Sequence, residues 1–334
     1  MASCAGRGKT AGPPSFGLSL LSEDVKNEIR VVSKSVVGIH ASINYEVFQY
    51  NYLQRNGNLV RDPNSPVGYK LDSGNGDSGV IVTTDHKTLS GGGLIINFNN
   101  AASKYTILTS NHLVSPEDTT DIYYLDDHGQ PTDVLFARYV VDRVSITVRG
   151  ESSWRSRADL IANDPVNDIA VIVTETETVL GQAFANKVGY DRDLDWGDWV
   201  FLFGYPKGIK QLTGGWISQA PYRNTLAVDA VVRFGYSGGP VFALSSDRAE
   251  LQFVGLIKSV PSNTFEYIAP DGTLPVGYRL SYKEVERLFV KRKMMVEYGT
   301  AYFVRPQIIK KFFRLAEIVF EDNGIKLDSK YFDG

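Results

Sequence analysis

A serine hydroxyl is a weak nucleophile at neutral pH, so a chain that uses one needs a base and a place for developing negative charge. The stretch Phe234-Gly235-Tyr236-Ser237-Gly238-Gly239-Pro240 offers such a place. Its glycines permit backbone angles closed to other residues and let a carbonyl group come close to the main chain. The amides of Gly235 and Ser237 can converge in front of the hydroxyl as an oxyanion hole, worth roughly 3–4 kcal/mol per donor in acyl transfer. The competing reading of the heptapeptide alone is a glycine-rich hairpin turn.

The candidate base is His112, at the end of the apolar run Tyr105-Thr106-Ile107-Leu108-Thr109-Ser110-Asn111, where a strand would hold it at a rim. The candidate acid is Asp168, directly before Ile169-Ala170-Val171-Ile172-Val173. A carboxylate beside a buried strand needs a partner or it takes up a proton. Asp164 is the fallback for the same role. In this set His112 would take the Ser237 proton and return it to a leaving amine, and Asp168 would fix the imidazole tautomer.

Chain order discriminates among serine hydrolases. Gly235-Tyr236-Ser237-Gly238-Gly239 fits the G-x-S-x-G pattern of α/β-hydrolases, but those require a histidine after the serine. All four histidines (His40, His86, His112 and His128) precede Ser237, so that class is excluded. Gly76-Asp77-Ser78-Gly79 spells a protease-like tetrapeptide, but it sits in a polar loop with no second glycine or proline behind it. The histidines are isolated and a single cysteine is present, so the sequence calls for no metal and no cofactor.

The elements that must position these residues read mainly as short strands. The 334 residues are 43% apolar and 22% charged with a net charge of −3, the composition of an ordinary folded chain. Its longest basic run, Lys291-Arg292-Lys293, reads as a solvated helix end, which argues against a nucleic-acid partner. No apolar run approaches the length of a membrane span. Cys4, set among small residues, has the context of a lipidated lipoprotein cysteine, which would anchor the chain in a bacterial envelope or periplasm; otherwise the expected location is cytoplasmic.

A helix capped by Ser22 leads into a strand at Ser35–Ala41, followed by an insertion or extended hairpin loop from Asn44 to Lys87. Gly91-Gly92-Gly93 reads as a tight turn into a strand. Two helices close the chain. The first opens with the capping box Ser281-Tyr282-Lys283-Glu284 and carries Val285, Leu288 and Phe289 on one face. The second starts near Pro306 and stops at Asn323-Gly324, with an apolar face for the body or for a protein partner around 306–320. Strands in the middle and helices at the ends predict an all-β body.

Four stretches taken together carry a resemblance: Thr106–Val114, Asn167–Val171, Gly204-Tyr205-Pro206-Lys207-Gly208 and Gly235–Pro240. They resemble trypsin-like serine proteases, and most of all the HtrA (DegP-like) branch, over about residues 20–290. The resemblance implies an all-β fold of two six-stranded antiparallel β-barrels, chymotrypsin-like, with the triad in the cleft between them. It divides the chain into a disordered tail (1–20), a helix and first barrel (21–185), a second barrel (186–280) and a C-terminal helical extension (281–334). It implies an endopeptidase acting on protein or peptide substrates through an acyl-enzyme. Ile257, Lys258 and Ser259 would line the substrate strand, with Val232 and Phe234 on the opposite wall. An apolar wall favours small or medium aliphatic side chains, and Lys258 would instead favour an acidic one.

The chain departs from the pattern in three places. Tyr236 stands where trypsins carry an aspartate that pairs with a new N-terminus. The segment from His112 to Asp168 is long for the branch, and about 50 residues follow the barrel, too few for a PDZ domain. The alternative function is a latent or pseudoprotease scaffold that binds a partner through its cleft or its C-terminal helix.

Overall fold

The computed structural model describes residues 22–73, 79–126, 130–150, 155–220, 222–245, 250–270 and 288–333. The tail with Cys4, the Gly76–Ser78 stretch, His128 and the capping box at Ser281–Glu284 lie outside the described residues. Helix α1 (Glu23–Ser33) begins where Ser22 accepts a hydrogen bond from the Val25 amide, and it buries Val25 and Val32.

The first barrel uses β1 (Val36–Tyr50), the short pair β2 (Gln54–Arg55) and β3 (Asn58–Leu59), then β4 (Val80–Asn99), β5 (Lys104–Thr109), β6 (Thr119–Leu125), β7 (Pro131–Arg149), β8 (Arg155–Asp164) and β9 (Ile169–Glu175). Its strand order is β1-β4-β5-β9-β8-β7, closed by a β1–β7 pairing, with β6 added outside β7. The predicted extended hairpin is β1 against β4, paired without a break from Val36↔Leu94 to Tyr50↔Val80. It rises well beyond the barrel, and a small cluster of Tyr52, Tyr69 and Val134 packs its tip.

Gly91-Gly92-Gly93 is not a turn. All three glycines lie inside β4; at Gly91 and Gly92 the reason is contact with the other barrel rather than chain reversal, while a Cβ at Gly93 would press on Ile107 and Ile39 of its own barrel. A Cβ at Gly92 would stand 2.8 Å from the Gly239 Cα, and one at Gly91 would collide with the Ser237 carbonyl.

The second barrel is β10 (Trp199–Gly204), β11 (Gln211–Ser218), β12 (Thr225–Asp229), β13 (Pro240–Leu244), β14 (Leu251–Ser259) and a late strand. Between them, β15 (Ser262–Pro270) and β16 (Leu288–Val296) form a separate two-stranded hairpin. The late strand, β17 (Ala301–Val304), closes the ring in the order β10-β11-β12-β17-β14-β13.

Two expectations are corrected here. Leu288 and Phe289, read as one face of a helix, are strand residues paired with Pro270 and Ala269. The second barrel also does not finish at 280, because β17 fills the gap between β12 and β14. The run Leu288–Val296 is compatible with either period over so short a length, and cross-strand pairing decides it.

From Pro306 to Asp322 the chain is helical, but in two helices rather than the single one the sequence predicts. Helix α3 (Pro306–Leu315) and helix α4 (Glu317–Asp322) break at Ala316, and Gly324 follows at φ +66°. Ile309, Phe312, Phe313 and Phe320 are buried in the core shared with Phe242 and Phe253. The apolar face around 306–320 is therefore spent on the body, which leaves Leu315 and Ile318 outside. Among the described residues no helix is long and apolar enough to cross a membrane.

Candidate active site

His112 sits in α2 (Asn111–Val114), a single turn that follows β5 directly. Asp168 sits one residue before β9, the strand next to β5 in the sheet, so two neighbouring strands deliver both groups to one rim. Their union is a double hydrogen bond. His112 donates its backbone N–H to Asp168 Oδ1 at 2.8 Å, and its Nδ1 lies 2.8 Å from Oδ2. The Asn111 amide also donates to the Asp168 carbonyl oxygen.

A carboxylate on Nδ1 fixes the proton there and leaves Nε2 with its lone pair, the tautomer a general base needs. Asp168 is 7% exposed and holds φ at +62°, a left-handed backbone that a non-glycine residue adopts at a cost. That turn swings the carboxylate under the imidazole. Asp164 does different work: its two oxygens accept from the Asn167 amide and side chain and so cap the turn into Asp168. The fallback acid is thus a support for the first choice.

Ser237 comes from the loop between β12 and β13. The Tyr236 amide donates to the Arg233 carbonyl at 3.2 Å, and Gly235 at the third position of this turn has φ +107°. A positive φ at that position defines a type II turn. Its peptide between Phe234 and Gly235 is flipped relative to type I, where the carbonyl and amide would trade directions. Among the described residues, neither the Gly235 nor the Ser237 amide donates to a protein acceptor. Ser237, His112 and Asp168 line one cleft of about 1590 Å³ between the barrels. Ser237 and His112 face each other across this cleft without a direct side-chain hydrogen bond.

Several residues that hold the loop escaped the sequence reading. Tyr205 donates its amide to the Gly235 carbonyl at 2.7 Å and its hydroxyl to the Val36 carbonyl at 3.1 Å. Its ring covers Gly38, where a Cβ would be 2.8 Å from the ring. Thr109 Oγ1 donates to the Gly92 carbonyl, and Ser110 Oγ donates to the Ile257 carbonyl. The Ser110 bond crosses to the second barrel, and the Thr109 bond steadies the first-barrel glycine whose amide holds the Ser237 carbonyl. Tyr236 is buried, with its ring against Gly204, and burial raises the phenol's pKa above its ordinary value. A neutral packing residue thus fills the position directly before the serine.

The predicted substrate residues Val232, Phe234, Ile257, Lys258 and Ser259 all border the cleft, but they are not equivalent. Val232 and Ile257 are core residues of the second barrel. Phe234 is 72% exposed, and with Val231 it presents an exposed apolar surface at the edge of the cleft. Lys258 reaches across the cleft to donate to the Val166 carbonyl at 3.3 Å. Among the described residues no cluster of side chains suits a metal ion.

Residues 74–256, more than half of the chain, match the family model described as the trypsin-like peptidase domain, and the chain belongs to that family. Within it, the likeness is to the HtrA branch, as the four sequence stretches imply. A protein named probable periplasmic serine endoprotease DegP-like from Rhizobium meliloti is 29% identical over 161 residues, 42% of this chain and 31% of that protein. Its namesake from Brucella suis is 30% identical over 148 residues, 39% of this chain and 28% of that one. The alignments thus span about a third of the length of these curated relatives. The solved HtrA-type protease AlgW with decapeptide aligns at 15% identity and TM-score 0.46, covering 89% of this chain and 67% of that one.

Proposed function

We propose that this chain is a serine endopeptidase that cleaves peptide bonds through an acyl-enzyme formed on Ser237. One observation carries the reading: a cleft holds a serine on a glycine loop opposite a histidine joined by two hydrogen bonds to a buried aspartate, the one at Nδ1 setting its tautomer.

In the first half-reaction His112 Nε2 takes the Ser237 proton while Oγ bonds to the substrate carbonyl carbon. The carbonyl oxygen becomes an oxyanion held by the Gly235 and Ser237 amides. The tetrahedral centre then expels the amine, which receives the proton from His112, and an ester remains on Ser237. In the second half-reaction water repeats the sequence, giving up its proton to His112 and releasing the acid. Asp168 stays ionised and stabilises the imidazolium formed twice per cycle.

The acyl half of the substrate would lie along Ile257–Ser259 at the end of β14, with its first side chain against Val231 and Phe234. The type II geometry at Gly235 supports a competent site over a latent scaffold, because the flipped peptide leaves the amide free for the oxyanion. The test is fluorophosphonate labelling of the purified chain beside Ser237→Ala and His112→Ala. Labelling of the wild type alone is expected. Absence of labelling in the wild type would sink the reading and favour a binding scaffold.

A further inference from the structure

The hairpin of β1 and β4 leaves one side of β4 without a neighbour. Strand β5 covers that side only from Leu94 onward, and no described strand pairs with Val82–Ser90 there. Two bonds reveal which main-chain groups face outward. The Gly92 amide leaves the hairpin to reach the Ser237 carbonyl at 2.8 Å, and near the other end the Asn51 amide crosses inward to the Gly79 carbonyl at 2.9 Å. The pairing between them has no register shift. In an antiparallel pair the direction alternates with each residue, so residues 82, 84, 86, 88 and 90 point their N–H and C=O groups outward.

This row begins two residues from the amide bonded to the nucleophile's own carbonyl. Its near end, Thr88 and Ser90, borders the cleft. Residues 81–88 are exposed, β-branched at Ile81, Val82, Thr83, Thr84 and Thr88, and contain no proline. Bare edges of this kind are usually blunted because they recruit other strands. Blunting here is light: Lys87 adds one positive charge, and the Asp85 carboxylate accepts the outward His86 amide at 2.7 Å.

We propose that the edge of β4 from Thr88 back to Val82 is a docking strand for an unfolded polypeptide, which adds to the sheet through main-chain hydrogen bonds. The inference rests on the proposed peptidase reading for its orientation. The acyl half occupies β14, so the segment on the leaving-group side follows β4. Strand β4 runs toward Ser237 and that segment runs away from it, which makes the added strand antiparallel. Six intervals from Thr88 to Val82 give a reach of about 20 Å. Recognition through the main chain selects for extended conformation rather than sequence, and His86 joins the ladder when Asp85 swings away.

The test uses the full chain carrying Ser237→Ala and, as probe, reduced and alkylated α-lactalbumin, a permanently unfolded chain. Hydrogen exchange is read at single amides with and without excess probe. The amides of Thr84 and Thr88 are expected to slow at least tenfold, while those of β6, which also has a free outer side, do not change. Adding Asp85→Ala is expected to raise probe affinity about 2–10-fold, the value of one released hydrogen bond.

Protection confined to β14, or no protection at all, would overturn the proposal. Protection of β4 without probe that grows with protein concentration would overturn it in favour of a second copy at the edge. Fluorophosphonate labelling of the wild type separates the two readings. Protection of β4 without labelling keeps the docking edge and removes the peptidase, and labelling without protection does the reverse.

Discussion

The two barrels hold their shares of the cleft by different means. The first fixes His112 and Asp168 through carboxylates: Asp168 accepts both bonds that join the pair, one of them from the His112 main-chain N–H, and Asp164 and Asn167 brace the turn beneath. The second fixes Ser237 with main chain. Its carbonyl accepts from Gly92, the Gly238 amide donates to the Ile257 carbonyl, and the Ile257 amide donates to the Gly239 carbonyl. Side-chain scaffolding tolerates a change of shape better than a change of charge. Main-chain scaffolding at close approach tolerates no added methyl group.

The largest effect probes what both barrels share. Ser237→Ala and His112→Ala are each expected to cut turnover about 10⁶-fold, and the double variant no further, because the two act as one unit. An additive double variant in a peptide-hydrolysis assay would break the comparison at its root. Asp168→Asn comes next, with a loss of about 10⁴-fold in turnover from the wrong imidazole tautomer. Its urea midpoint should stay close to the wild type, since the amide keeps the size of the carboxylate.

Gly239→Ala tests the other half of the comparison. A Cβ there would stand 1.9 Å from the Phe203 carbonyl oxygen, with the Tyr236 carbonyl 2.9 Å away, so the backbone must move. The expected loss is about 3 kcal/mol in a denaturant titration, within the range for overpacked interiors. A wild-type midpoint would show that the second barrel yields more readily than its contacts suggest.

The smallest effect lies far from the cleft. Lys310 is buried with its ammonium 3.7 Å from the centre of the Tyr190 ring. Burial lowers its pKa, against the pull of Asp333 and Asp193 and with the help of Arg314 and Arg192. The unfolded chain therefore holds this proton more tightly than the folded one. Stability should climb as pH rises from the lowered folded value into the ordinary lysine range. Lys310→Met is expected to remove that slope and to raise the melting temperature by about 2 °C, as for a gain of ~1 kcal/mol.

What the sequence revealed follows the same division. Side-chain chemistry is written in residue types, so His112, Asp168 and Ser237 could be picked out by kind, order and flanking strands. Main-chain packing is written mostly in glycines, which are ambiguous. Gly91-Gly92-Gly93 reads as a turn until the facing Ser237-Gly238-Gly239 is known, since a close approach needs the same residue as a chain reversal. Tyr205 was legible as part of a motif but not as the tie between Val36 and Gly235, because that tie is a matter of distance in space. Leu288–Val296 is ambiguous for a related reason: a capping box upstream points to a helix, and only the pairing with β15 makes the run a strand.

The late position of β17 bears on how the chain comes into being. The first barrel has all its strands once Glu175 is made, whereas the second lacks its closing strand until Val304. At ordinary rates of synthesis these points are separated by roughly 6–26 s. During that interval the histidine and aspartate can settle into place while the serine loop has no finished barrel to shape it. A nascent chain built in this order would shape its serine loop only after the first barrel, with His112 and Asp168, has already formed.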